Sequence, residues 1–101
     1  ESEEFKQELS NLKSEMEEEE QEIQNLQEEV VHTKEEVESL ENTLSRIISI
    51  TRNLGYGRLT NRLEEILENV ESDREKLGKV ERELKEARNR MDEAESQAAN
   101  I

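Results

Sequence analysis

Apolar residues recur along this chain at alternating intervals of three and four, and that spacing leaves few folds open. With Leu9 at heptad position a, the a positions read Leu9, Met16, Ile23, Val30, Val37, Leu44 and Thr51. The d positions read Phe5, Leu12, Glu19, Leu26, Thr33, Leu40, Ile47 and Leu54. A period near 3.5 residues keeps one stripe facing a partner only when helices supercoil around each other with a left hand. The fold class is therefore all-α, a coiled coil. The oligomer seam of the first arm is expected along Leu9, Leu12, Ile23, Leu26, Val30, Val37, Leu40, Leu44 and Ile47.

Composition closes the other routes to order. The 101 residues are 42% charged and 30% hydrophobic, with no Trp and no Pro, so a globular core has too little to bury. Richness in Glu, Lys, Arg and Leu favours long helices. A net charge of −14 repels nucleic acid and anionic membrane, so neither is an expected partner. There is no cysteine, which excludes disulfides and thiolate metal sites within these residues. Together with the lack of an Asn-x-Ser/Thr sequon, this fits an intracellular, cytoplasmic protein. No apolar run approaches the roughly 18 residues of a membrane span, and no signal-peptide pattern is present. The register is already running at the first residue, so the chain is expected to be cut from a longer rod.

A second register follows, two residues out of step with the first. Its a positions are Leu63, Val70, Leu77, Leu84, Met91 and Ala98; its d positions are Leu59, Ile66, Asp73, Val80, Ala87, Ala94 and Ile101. The second half of the seam is expected along Leu63, Ile66, Val70, Leu77, Val80 and Leu84. Stutters and stammers shift a heptad by four or three residues, so a slip of two means one seam does not run straight through. Between the registers lie Gly55 and Gly57, residues able to close a helix in the left-handed conformation. If Gly55 takes that role, Tyr56 can fold back on Ile50. Asn61 and Glu64 have the spacing of a capping box. The spacing predicts an acidic arm over 1–53, a Gly-rich turn over 54–60 and a second arm over 61–101.

Two geometries satisfy this break, and the antiparallel helical hairpin is favoured over a kinked parallel dimer. In the hairpin, a and d partners whose numbers add to 117 meet, pairing Ile47 with Val70 and Val37 with Val80. The same register brings Glu41 near Arg74, Lys34 near Glu81 and Glu29 near Arg90, but sets Glu36 against Glu83 and Glu20 against Glu95. Exposed pairs contribute a few tenths of a kcal/mol each and do not decide the topology. For the parallel dimer speak β-branched Ile23, Val30 and Val37 at a with Leu26 and Leu40 at d. The frame slip and the glycines tip the balance to the hairpin.

Charge is unevenly spread. No acid occurs from Asn42 to Leu63, whereas Arg46, Arg52, Arg58 and Arg62 give that window +4 against −18 elsewhere. The window is also the most apolar, with Ile48 at e and Ile50 at g widening the stripe beyond a two-helix seam. Structurally, cations at the end of the first helix complement its dipole, and a wide apolar head commonly joins two hairpins in a four-helix bundle. Functionally, Arg46, Ile48, Ile50, Arg52, Tyr56, Arg58 and Arg62 form a candidate docking head for an acidic protein surface, because Arg and Tyr predominate in binding hot spots.

Other candidates are weaker. Glu8, Glu15, Glu22, Glu29 and Glu36 occupy successive g positions and read as a solvated face. His32 stands at an outer c position without a second His or Cys, so no metal or cofactor is expected. Glu19, Thr33, Thr51 and Asp73 interrupt the seams, where buried polar residues fix register at some loss of stability. No nucleophile, base and orienting group are spaced for catalysis, and an enzyme is not expected. Repeats such as Glu81-Arg82-Glu83-Leu84-Lys85-Glu86-Ala87 resemble the rods of cytoskeletal, motor-tail and tethering proteins, a likeness of composition that carries no site across. The expected function is a non-enzymatic coiled-coil segment that oligomerises with itself, as a dimer, and spaces the parts of a larger protein. The alternative is the docking head.

Overall fold

The computed structural model describes residues 2–100. Two helices, α1 over Glu3–Asn53 and α2 over Gly57–Ala99, pack antiparallel as a helical hairpin. Ser2 caps α1: its Oγ accepts the Phe5 N–H at 3.1 Å, and Glu3 and Glu4 follow in the first turn, where carboxylates meet the positive end of the helix.

The turn closes as the glycine spacing predicts. Gly55 has φ of +78°, and the described residues contain no other positive φ. Its N–H donates to the Arg52 carbonyl at 3.1 Å, and the Tyr56 N–H donates to the Thr51 carbonyl at 2.9 Å. These two bonds form a Schellman motif, which satisfies carbonyls that the end of α1 would otherwise leave open. α2 then starts at Gly57, earlier than the expected 61, because the Thr60 N–H already donates to the Tyr56 carbonyl at 2.9 Å. Asn61 and Glu64 consequently lie inside the helix and form no capping box; Glu64 instead pairs with Arg52 across the turn. Tyr56 and Ile50 each stay 57% exposed, so the chain reverses without that apolar clasp.

Packing divides the hairpin into a head section, Val30–Val80, and an end section that joins residues 2–29 with residues 81–100. In the head section the shielded line of α1 runs through Val30, Val37, Leu44 and Thr51, the a row, and through Lys34, Glu41 and Ile48, the e row. On α2 it runs through Leu63, Val70 and Leu77 at a, and Thr60, Leu67 and Arg74 at e. The end section shows the same choice, with Met16 and Ile23 at a and Glu20 and Gln27 at e opposite Leu84, Arg88, Met91, Glu95 and Ala98.

The helices thus meet along a and e, not along the a and d positions paired in the 117 register. On a helical wheel d and e flank a on opposite sides, and two helices together cover only one of those edges. The e edge carries the contacts of Glu41 with Arg74 and of Gln27 with Arg88. Leu44 and Ile48, at 7% and 6% exposure, form the apolar core of the head section.

Candidate functional site

Among the described residues, several polar contacts cross the seam beneath any functional surface. In the head section Arg74 Nε lies 2.6 Å from Glu41 Oε1, with both atoms out of reach of water. Nearer the turn Thr51 and Thr60, 6% and 5% exposed, face each other through hydroxyls 2.8 Å apart. Thr51 Oγ1 donates to the Ile48 carbonyl, and Thr60 Oγ1 is also within 2.8 Å of the Tyr56 carbonyl, so the pair is satisfied although buried. The sequence marks Thr51 as an interruption; Thr60 is missed because it precedes the expected start of the second arm. In the end section Arg88 Nη1 donates to Gln27 Oε1 at 3.2 Å, and Nη2 is 3.9 Å from Glu20. With the Gln24 amide turned so that its oxygen faces the guanidinium, Nη2 donates to it at 2.7 Å.

Another contact in the seam is repulsive in origin. Carboxylate oxygens of Glu20, Asp92 and Glu95 lie within 4.8 Å of one another in the end section, and Glu95 Oε1 is shielded without a donor. Facing Glu20 raises the Glu95 pKa above its ordinary 4.5: a hydrogen bond with Glu20 forms only if one partner keeps a proton, and burial and the charges of Glu20, Asp92 and Glu17 act in the same direction. Hard oxygen donors of this type bind cations, yet three carboxylates fall short of the roughly six to eight oxygens of a calcium site. Below the raised pKa of Glu95 a proton held between it and Glu20 relieves this repulsion.

Above the seam the d row lies open. Phe5, Leu12 and Leu26 in the end section, and Leu40, Ile47, Leu54, Leu59, Ile66 and Val80 in the head section, are 39–61% exposed. On each helix d sits about 60° from a, on the side away from e. Because the helices run antiparallel with their e rows together, within each section the d rows of both helices emerge on one face. The expected seam residues therefore separate: Leu9, Ile23, Val30, Val37, Leu44, Leu63, Val70, Leu77 and Leu84 turn inward, whereas Leu12, Leu26, Leu40, Ile47, Ile66 and Val80 turn outward.

The candidate docking head also divides. Ile48 is buried inside the hairpin, and Arg52 is held by Glu64. Ile50, Tyr56, Arg58 and Arg62 are exposed, as is Arg46, whose Nη2 donates to Thr43 Oγ1 on its own helix. His32 pairs with Glu36 at 3.0 Å on the outer face. Among the described residues no helix is long and apolar enough to cross a membrane. The chain matches no protein-family model, no curated protein and no solved structure.

Proposed function

We propose that this chain is a non-enzymatic assembly segment, a coiled-coil hairpin that oligomerises through its d face and so spaces the parts of a larger protein. The observation carrying this reading is the row of half-exposed Leu, Ile and Val side chains collected on the d face of the head section. Monomeric proteins rarely leave contiguous apolar patches larger than a few hundred Å² open to water. A heptad stripe spanning d, a and e is wide enough for two neighbours, and the hairpin uses only the a and e edge. Sedimentation equilibrium tests the reading: assembly predicts a mass above the 11.9 kDa of one chain, and a single-chain mass at all concentrations refutes it. A second reading keeps the exposed Ile50, Tyr56, Arg58 and Arg62 as a docking surface for an acidic protein, favoured by their exposure beside the turn. Replacing Arg58 and Arg62 with glutamine abolishes such capture under that reading and leaves the mass unchanged.

A further inference from the structure

We infer that the partner covering the d face of the head section is a second copy of this chain, laid on it with the two turns at the same end, so that α1 of one copy lies against α2 of the other. The inference rests on the assembly reading above and specifies its partner and orientation. Three observations carry it.

The first is area. Leu40, Ile47, Leu54, Leu59, Ile66 and Val80 are each about half exposed, leaving on the order of 500 Å² of apolar surface on the head section. Interfaces are roughly 60–65% apolar, so this patch corresponds to about 800 Å² per partner, the size of a standard stable interface.

The second is the order of the d residues. Levels along the face pair Leu54 with Leu59 and Ile47 with Ile66, while the next level pairs Leu40 with Asp73. The apolar content is densest beside the turn and is cut by Asp73. A copy with its turn at the same end stacks leucine on leucine and isoleucine on isoleucine. A copy turned end for end over the head section sets Ile66 against Asp73 and Leu54 against Thr33. The bulk charge of the chain favours that reversed order, but exposed charges more than about 10 Å apart are screened at physiological salt.

The third is the charge flanking the face. Position g borders d on its outer side. On the α1 edge of the head section the g residues are Glu36, Thr43 and Ile50; on the α2 edge they are Arg62, Asn69 and Lys76. A two-fold axis along the helices brings the α1 edge of one copy to the α2 edge of the other. Glu36 then meets Lys76, Thr43 meets Asn69, and the aliphatic stem of Arg62 covers Ile50, each contact occurring twice. Such a face is complementary to itself, as an isologous interface requires.

Two measurements test the inference. Chains carrying only Glu36→Cys are mixed with chains carrying only Lys76→Cys and oxidised. The expected product is a mixed disulfide dimer that neither chain forms efficiently alone, with an unoxidised mass twice 11.9 kDa. A dimer mass without the mixed disulfide, or with a disulfide between two Glu36→Cys chains, overturns the orientation and leaves the assembly reading standing. A single-chain mass overturns both. Ile47→Gln with Ile66→Gln is expected to halve the mass of the otherwise unmodified chain. Should that variant lose helicity, the disulfide pattern of the folded single-cysteine chains still decides.

Discussion

Gly55 and Gly57 stand two residues apart in the turn, and their substitution by alanine is expected to change stability in opposite directions. An added Cβ meets nothing within 4 Å at either position, so packing does not distinguish them. Backbone conformation does. Gly55 is left-handed at φ +78°, and an L-alanine held there loses about 1–2 kcal/mol. Gly57 is the first residue of α2 with ordinary helical φ, where alanine restricts the unfolded chain and gains about 0.4–1 kcal/mol. The two variants should therefore differ by about 2 kcal/mol, close to a 30-fold change in the folding equilibrium. Urea titration followed by helical circular dichroism reads this directly. At an m-value of about 1 kcal/mol/M the midpoints separate by about 2 M. Both are measured at one protein concentration, because any self-association would add to apparent stability. Gly55→Asn should fall between Gly55→Ala and the native chain, since asparagine tolerates the left-handed region better. Equal midpoints for Gly55→Ala and Gly57→Ala would refute the Schellman closure as the feature that positions α2.

Arg74→Leu leaves Glu41 Oε1 shielded without its cation and is expected to lower stability by about 1–2 kcal/mol, whereas adding Glu41→Leu should recover most of the loss; additive losses in the double variant would show that the pair does not interact. Glu95 carries a raised folded pKa, so its stabilising contribution is complete below about pH 4.5 and is lost as pH rises through the raised value. Urea midpoints of Glu95→Gln should fall less between pH 4 and pH 7 than those of the native chain, and parallel profiles would exclude the shared proton.

What the sequence discloses and what it withholds divide at one physical point. The all-α class, the hairpin, the left-handed Gly55 and the inward a row follow from a 3.5-residue period, a frame slip and a positive-φ residue, each a local property of the chain. The expected approach of Glu41 to Arg74 and of Glu20 to Glu95 also appears in the structure, because both are e-row pairs whose numbers add to 115. The choice between the d and e edges is not local. Periodicity centres the stripe on a and treats its two flanks alike. Ranking by apolarity selects d, since Leu12, Leu26 and Leu40 are more hydrophobic than Glu20, Gln27 and Glu41. That ranking assumes the most apolar edge must meet the other arm of the same hairpin. The seam instead takes the edge that carries Glu41 with Arg74 and Gln27 with Arg88, with Thr51 and Thr60 facing each other nearer the turn, although the same edge also sets Glu20 against Glu95. The hairpin thus folds with its mixed polar edge inside and the apolar d edge open to water, and the residues that look least like a core, Glu41 and Arg74, meet within the seam.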